Sequence, residues 1–378
     1  MAPRNRPGAT KGGPLGEYAR KRDFDRTPEP SGVPADDTEV PEPAATDDGD
    51  RRRFVIQQHD ATRLHWDLRL EHEGVLLSWA LPRGLPWDPQ RNHLAVHTED
   101  HPLEYISFEG HIPEGSYGAG EMTVWDQGTY EAEKIEARKV IVVLDGHRSH
   151  GRYALFQTRG RDWMIHRMDP AEDPTRRHPP ERFDLLQAES SPAPDGEGWA
   201  LETRWRGLRS VVLSSGGIVN MTSAEGDAIA DHFPEVRPIG RALGITEVAL
   251  DGVLTVPGGG GSDPEAYLRR RLEARSDSTR RRLARNQPVV FVAFDLLWLD
   301  GHTTTARPWH ERRERLDDLA LDGAAWTTPS AYQGDPAPLI AAAGASGVDL
   351  LIAKRVEAPY DPSLRPSPWR MFPVPRPG

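Results

Sequence analysis

A strict alternation of polar and apolar residues across positions 64–70 constrains this sequence more than any other feature. Successive side chains of a strand point to opposite faces of a sheet. The alternation therefore predicts a strand with an apolar face of Leu and Trp and a polar face of His65, Asp67 and Arg69. Such a polar face must meet either bulk solvent or a polar pocket.

The polar face carries the residue types of a metal-dependent phosphoesterase centre. His59, His65 and Asp67 could supply three ligands to a divalent metal of the hard-to-borderline class. Arg69 would bind phosphate oxygens with its guanidinium fork. His101 could donate to a leaving oxygen or to developing negative charge. A lone histidine is more often a surface or core residue than a ligand, so the spacing alone leaves both interpretations open.

Composition narrows the class of protein. The 378 residues suffice for two domains with cores, and 37% hydrophobic content is ordinary for a globular protein. The absence of cysteine excludes disulfides and thiolate metal sites. A net charge of -11 argues against a protein that depends on non-specific attraction to DNA. Without an apolar membrane span or signal peptide, we expect a cytoplasmic, nucleoid-associated protein.

The chain divides into four segments by composition. Residues 1–50 are rich in Pro, Gly and charge, and predict a disordered leader. Residues 51–170 contain many short strand-like runs broken by Gly and Pro, which favour an antiparallel barrel or sandwich, and the β-barrel is our prediction. Residues 171–197 have the composition of a linker. Residues 198–378 mix longer strands with helical stretches, so the predicted fold class is multidomain: a β-barrel followed by an α+β domain.

Several stretches of the first half resemble the 3′-phosphoesterase module of bacterial DNA ligase D. They are residues 54–59, 67–71, 78–84, 98–105 and 108–120, and residues 18–30 are similar to that module's leader. The resemblance implies a manganese-dependent enzyme of non-homologous end joining. Such an enzyme removes a terminal 3′ ribonucleoside and then the 3′-phosphate from DNA 3′ ends.

The resemblance also assigns roles to residues and partners to the chain. It implies metal ligation by His59, His65 and Asp67, and contacts to phosphate or the transition state by Arg69, His101 and Tyr105. Ku-type end-binding proteins and repair polymerases or ligases are the implied protein partners. Two candidate substrate-binding positions depart from the family pattern, since Arg83 replaces a frequent lysine and His93 replaces a basic residue.

Residues 198–378 are similar to the nucleotidyltransferase domain of ATP-dependent DNA ligases. The similarity lies in residues 202–209, 250–253, 294–301 and 348–355. At several positions where ligases have catalytic residues, this chain has a different residue. Arg204 stands in place of the nucleophilic lysine, Arg206 in place of an aspartate, and Val253 in place of a metal-binding glutamate. The strand with the family's metal-binding Glu and phosphate-binding Lys carries Asp349 and Lys354.

We therefore expect no adenylation and no use of ATP. The ligase reaction needs a lysine amine that attacks the α-phosphate, whereas a guanidinium stays protonated. The chain also ends before the oligonucleotide-binding domain that ligases use to wrap DNA. A non-catalytic end-joining scaffold and, with a substitute lysine, an active ligase remain the alternatives. The arginines of residues 269–282 form either a solvated helix face or a DNA contact.

Overall fold

The computed structural model describes residues 13–32, 51–257 and 263–375. The chain forms two compact units, Met1–Pro174 and Thr175–Gly378. Within the described residues, no helix is both long and apolar enough to cross a membrane.

The first unit is built on a closed antiparallel barrel. Its strands are β1 (Arg52–Asp60), β2 (Leu64–His72), β3 (Val75–Leu81), β4 (His93–His97), β5 (Gly110–Ile112), β6 (Gly120–Glu136), β7 (Lys139–Gly146), β8 (His150–Arg159) and β9 (Asp162–Arg167). Eight of them follow the order β1-β2-β3-β4-β9-β8-β7-β6, and pairing of β6 with β1 closes the ring. The short β5 pairs only with β6. The predicted barrel is confirmed.

The alternation in β2 separates the barrel core from a polar outer face. Trp66, Leu68 and Leu70 are fully buried. The opposite face, with Asp67 and Arg69, is covered by a 3-10 helix (Leu103–Ser107) and by residues of the chain's leader. The interior of an eight-strand barrel is only wide enough for side chains. The covered polar face is therefore the outer one.

The leader is folded where the structure describes it, contrary to the disorder we predicted for residues 1–50. Residues 13–32 contain helix α1 (Gly16–Arg20) and pack on the barrel, with Tyr18 fully buried. Tyr18 joins a hydrophobic cluster with Leu76, Tyr105 and Met122. The low average hydropathy of residues 1–50 gave no sign that a few apolar side chains would hold this segment on the barrel. Residues 1–12 and 33–50 lie outside the described part of the chain.

The second unit has two sheets flanked by helices, the predicted α+β arrangement. A five-stranded sheet has the order β10-β21-β20-β11-β19, and a seven-stranded sheet has the path β13-β12-β14-β15-β18-β17 with β16 paired to β15. The strands are β10 (Glu189–Ser190), β11 (Trp199–Thr203), β12 (Leu208–Ser215), β13 (Ile218–Ser223), β14 (Val248–Thr255), β15 (Val290–Leu299), β16 (His302–Thr303), β17 (Asp322–Gly323), β18 (Trp326–Thr327), β19 (Tyr332–Gln333), β20 (Leu350–Arg355) and β21 (Trp369–Pro373). The helices are α2 (Ile239–Leu243), α3 (Pro264–Leu272), α4 (Asp277–Asn286), α5 (Trp309–Asp318), α6 (Pro336–Ala345) and a 3-10 turn (Ala230–His232).

Most of the predicted linker at residues 171–197 belongs to the second unit. Leu186 is 1% exposed and packs in a cluster with Val211, Trp298 and Trp369. Strand β10 pairs in parallel with β21. The segment is rich in Pro and charged residues, so its composition gave no sign of the few side chains that are buried. The second unit therefore begins earlier in the chain than composition indicated.

Candidate metal centre

Three side chains of ligand type meet where β1 ends and β2 begins. His59 pairs with His65 across the two strands, and their ring centroids lie 4.6 Å apart. The Asp67 carboxylate oxygens lie 3.7 Å from His59 Nδ1 and 3.7 Å from His65 Nε2. All three ligand atoms lie within 4.8 Å of one another. Atoms that bind a metal at roughly 2.1 Å are about 3 to 4 Å apart, so small side-chain shifts would bring these onto one ion.

Backbone carbonyl groups orient both imidazoles. His59 Nε2 lies 2.9 Å from the Gly118 carbonyl oxygen, and His65 Nδ1 lies 2.9 Å from that of Arg63. Because a carbonyl oxygen only accepts hydrogen bonds, these two nitrogens carry the ring protons. The lone pairs are therefore on His59 Nδ1 and His65 Nε2, the nitrogens nearest Asp67. Metal-binding histidines are commonly oriented by this kind of contact.

Asp67 supplies a permanent negative charge to the cluster. It is 5% exposed and accepts a hydrogen bond of 2.9 Å from Arg69 Nη2. Burial alone would raise the pKa of Asp67, but the charge of Arg69 and the contacts with His59 and His65 hold this pKa well below its usual range. The side chain is thus ionised and suited to bind a cation.

Arg69 has one guanidinium nitrogen without a partner. Its Nε donates to Gln57 Oε1 at 2.7 Å and its Nη2 donates to Asp67, while Nη1 is buried and makes no hydrogen bond. The guanidinium lies 4.7 Å from the centroid of the Tyr105 ring. An unpaired buried donor costs free energy. A phosphate oxygen beside the metal ligands would satisfy it.

Gln57 belongs to this site, although the sequence analysis did not single it out. It is fully buried, and its Nε2 donates to the carbonyl oxygens of Tyr105 at 3.1 Å and Phe108 at 2.8 Å. With its amide nitrogen held by these bonds, Oε1 faces Arg69. The available signal was spacing, since Gln57 lies two residues before His59 and therefore on the same strand face.

The leader supplies a second polar layer to the site. The side chain of Arg22 is 4% exposed and donates to Glu29 Oε1 at 2.8 Å and Glu99 Oε1 at 2.9 Å. Its guanidinium lies 3.8 Å from the Tyr18 ring centroid. Lys21 Nζ contacts Glu99 Oε2 at 2.8 Å. The resemblance included this segment, but we assigned it no role from the sequence.

His101 lies in this layer as an acceptor from Arg22, and the contact with phosphate or the transition state that we expected of it stays a prediction. Its Nδ1 lies 2.8 Å from the Glu99 carbonyl oxygen, so Nδ1 carries the proton. Its Nε2 lies 3.3 Å from Arg22 Nη2, which can only donate. Burial and the charges of Arg69 and Arg22 lower the pKa of His101 well below its ordinary value. The ring is therefore neutral and has no proton at Nε2 to give.

The hydroxyl of Tyr105 faces the leader instead of the metal ligands. It donates to Glu29 Oε1 at 2.9 Å, and the residue is 1% exposed. Burial raises the pKa of Tyr105 far above its ordinary value, so the hydroxyl stays protonated. The ring, which contacts Arg69, is the part of Tyr105 that touches the site.

Arg83 and His93 lie near each other at the same end of the barrel as the metal ligands. Trp66 pairs with Leu81, and β3 ends there. Continuing that register would set Arg83 opposite Leu64, the first residue of β2 and the neighbour of His65. His93 Nδ1 lies 2.9 Å from the Gly84 carbonyl oxygen, and Arg83 is exposed. Their role in binding substrate stays a prediction.

In the second unit, ion pairs occupy the positions that resemble ligase motifs. Lys354 is 1% exposed, contacts Glu202 Oε2 at 2.9 Å and donates to the Phe294 carbonyl oxygen at 2.8 Å. Arg209 donates two hydrogen bonds to the fully buried Asp251, at 2.7 and 2.6 Å. The bond from Lys354 to Phe294 joins the two sheets of the unit, whereas the Lys354–Glu202 and Arg209–Asp251 pairs each lie within one sheet.

The other positions that resemble ligase motifs differ in exposure. Arg204 is half-buried, with its backbone N–H donating to the Leu350 carbonyl oxygen at 3.2 Å. The Arg206 side chain is 63% exposed and Asp349 is exposed. Val253 is buried within β14. Of the arginines in residues 269–282, Arg271 is fully buried against Glu235, so it is structural and not part of a DNA-binding surface.

Comparison with known proteins agrees with both halves of this description. Residues 57–157 match the DNA Ligase D 3′-phosphoesterase domain, and residues 191–370 match the ATP dependent DNA ligase domain. The multifunctional non-homologous end joining protein LigD of Mycolicibacterium smegmatis is 36% identical over 367 residues, covering 94% of this chain and 45% of that protein. The chain is similar to part of LigD over nearly its whole length. The LigD of Mycobacterium tuberculosis strain H37Rv is 38% identical over 360 residues, covering 94% of this chain and 44% of its own length.

The chain thus spans about half the length of the LigD proteins it matches. Among solved structures, the ligase domain of M. tuberculosis LigD matches at 27% sequence identity with a TM-score of 0.42. That match covers 51% of this chain and 60% of the solved one.

Proposed function

We propose that the first unit is a divalent-metal-dependent phosphoesterase that removes 3′-phosphates and 3′-terminal ribonucleosides from DNA ends. The observation that carries the proposal is the unpartnered Arg69 Nη1 beside the cluster of His59, His65 and Asp67. A phosphate ester between them would complete both sets of contacts. The match to a 3′-phosphoesterase domain is consistent with this chemistry.

The cluster fits a transition-metal ion, and we propose Mn²⁺. Two imidazole nitrogens turned toward Asp67 and one ionised carboxylate are a donor set that such ions accept. Three protein ligands leave coordination positions for water and substrate. When bound, the ion would polarise a phosphate oxygen and lower the pKa of a bound water.

Protein side chains bind and orient the phosphate in this proposal. Arg69 Nη1 donates to a non-bridging oxygen, while the bonds that Arg69 donates to Gln57 and Asp67 prevent the guanidinium from rotating away. The Tyr105 ring packs against the same guanidinium. His101 holds Arg22 and so keeps the leader over the site. Arg83 and His93, at the same end of the barrel, would contact the DNA backbone further from the cleaved bond.

We further propose a role in non-homologous end joining, from the names of the LigD relatives. The substrates would be DNA 3′ ends, some with terminal ribonucleotides, and a Ku-type end-binding protein and a repair polymerase or ligase would act on the same ends. Such work takes place on the nucleoid in the cytoplasm.

The second unit, we propose, does not adenylate and uses no ATP. A guanidinium cannot serve as the nucleophile at Arg204. Lys354 is held by Glu202, and Asp251 by Arg209, so neither group is free for a nucleotide. The unit would then serve as a scaffold in the assembly of repair proteins.

The activity is tested with the purified chain, Mn²⁺ and labelled duplexes that end in a 3′-phosphate or a 3′-ribonucleotide. The wild-type protein should yield 3′-hydroxyl ends. His59→Ala and His65→Ala should abolish this, whereas His150→Ala, a change at an exposed histidine of β8, should not. Cleavage that persists in both His59→Ala and His65→Ala would refute the metal assignment.

A further inference from the structure

Tyr117 is an exposed aromatic side chain next to the metal ligands, and the chemistry described above does not use it. It is 46% exposed in the segment 114–118. The next residue, Gly118, places its carbonyl oxygen 2.9 Å from His59 Nε2. Gly118 has a φ of 75°, a left-handed conformation that favours glycine. The backbone that orients a metal ligand therefore also fixes the position of Tyr117.

The leader holds the Tyr117 ring in place. Lys21 Nζ lies 4.6 Å from the ring centroid and 3.3 Å from the hydroxyl oxygen. The guanidinium of Arg22 lies 5.6 Å from the same centroid. Cations over an aromatic ring are attracted to its π-electrons. The residue nevertheless remains 46% exposed, so part of it is open to a ligand.

We infer that Tyr117 is a stacking platform for the base of the 3′-terminal nucleoside. This inference rests on the proposed function, and it specifies how the site distinguishes its substrates. Nucleobases of any sequence stack on aromatic side chains, and neighbouring cations attract the attached phosphates. A phosphate bound by Arg69 would carry the terminal nucleoside within reach of the adjacent segment.

The two proposed substrates differ in the group that would contact Tyr117. A 3′-ribonucleoside end presents a base on the leaving side of the phosphate, whereas a 3′-phosphate end presents none. The platform should therefore strengthen binding of nucleoside-terminated ends alone. It would favour removal of the ribonucleoside while having little effect on the following removal of the phosphate.

The test compares three duplexes that differ only at the 3′ end: a 3′-adenosine, a 3′ abasic ribose and a 3′-phosphate. Tyr117→Ala should raise KM for the adenosine end by about 5- to 150-fold, the range expected for loss of one stacked base. KM for the abasic and phosphate ends should stay within about twofold of wild type, a change of roughly 0.4 kcal/mol or less. Tyr117→Phe keeps the ring and should resemble wild type.

Tyr332→Ala is the matched control, since Tyr332 is 39% exposed in the other unit. Fluorescence anisotropy in EDTA supplies a readout without turnover, and it should show the same selective loss of affinity for the adenosine end. Equal effects of Tyr117→Ala on all three ends, or no effect on any, would overturn the stacking platform while leaving the phosphoesterase proposal intact. Failure of the wild-type protein to cleave any of the three ends would reject the proposed function, and the inference with it.

Discussion

Arg22 Nη2 lies 3.3 Å from His101 Nε2, although 79 residues separate the two along the chain. The contact makes the leader a structural part of the candidate site. Arg22 also bridges the buried carboxylates of Glu29 and Glu99. Breaking a buried pair by removing one partner leaves an uncompensated charge. The attachment of the leader therefore depends on this single guanidinium more than on any other polar group of the leader described above.

Arg22→Gln should detach the leader and lower phosphoesterase activity. Loss of charge from a buried pair costs about 3–5 kcal/mol, which is enough to release a short docked segment. Limited proteolysis should cut residues 13–32 of the variant much faster than those of the wild type, and activity should fall by about tenfold or more, the size of loss typical when groups that orient a metal site are mutated. Arg26→Gln is the control, because Arg26 is exposed in the same segment. Wild-type protease resistance in Arg22→Gln would contradict this role.

Arg69→Lys should reduce kcat while leaving metal affinity nearly unchanged. Lysine keeps the positive charge beside Asp67 but cannot make the guanidinium contacts to Gln57, Asp67 and phosphate at once. Loss of one positioned donor to developing charge typically lowers kcat by about 100- to 1,000-fold. Steady-state kinetics and a Mn²⁺ titration of the same sample measure the two effects. The exposed Arg53 of β1 offers the control Arg53→Lys, which should leave kcat unchanged.

The part of this site that could be predicted from the sequence is the part set by the spacing of residues along one strand. Alternation in β2 correctly placed His65, Asp67 and Arg69 on one face, because strand periodicity is local. The contact of His59 with His65 follows from the register in which β1 pairs with β2. The strand-like runs in the sequence indicated the two strands but not their register. The leader was misjudged because its docking depends on partners far along the chain, such as Glu99 for Arg22 and Leu76 for Tyr18. Average composition does not report such contacts.

The proton states of His101 and Tyr105 could not be read from the sequence either. Each depends on which atom of a distant residue faces the ring or hydroxyl. In the second unit, the longer strands were predicted well because their apolar runs are continuous. The short strands β16 to β19 were not predicted, since two-residue pairings leave no periodic signal.

Restoring the ligase lysine with Arg204→Lys should not restore adenylation. The metal-binding position remains Val253, and Lys354 and Asp251 remain engaged with Glu202 and Arg209. Incubation with radiolabelled ATP and a divalent metal should give no covalent protein–nucleotide band. A labelled band in this variant would show that the loss of ligase chemistry is confined to one residue. A band in the wild-type protein would refute the inactive-ligase proposal altogether.

Asp100→Asn should remove part of the pH dependence of stability. Burial, with the charges of Glu17 and Glu99, raises the pKa of Asp100 to about 6. The folded protein thus binds this proton more tightly than the unfolded chain, so the stabilisation is complete below about pH 4 and is lost as the pH rises through 6. The variant should be more stable near pH 7.5, on the order of 1 kcal/mol after allowance for solvent screening. Denaturant unfolding at pH 5 and 7.5 measures the difference, and an unchanged pH dependence would contradict it.

Binding of Mn²⁺, followed by the EPR signal of the free ion, tests the centre of His59, His65 and Asp67 most directly. Wild-type protein should bind one ion per chain at this site, and His65→Ala and Asp67→Asn should each lose that site while His150→Ala keeps it. Loss of the ion should coincide with loss of 3′-phosphate removal. Stoichiometric Mn²⁺ binding that survives both His65→Ala and Asp67→Asn would contradict the metal centre, as would wild-type protein that removes 3′-phosphates fully in the presence of EDTA.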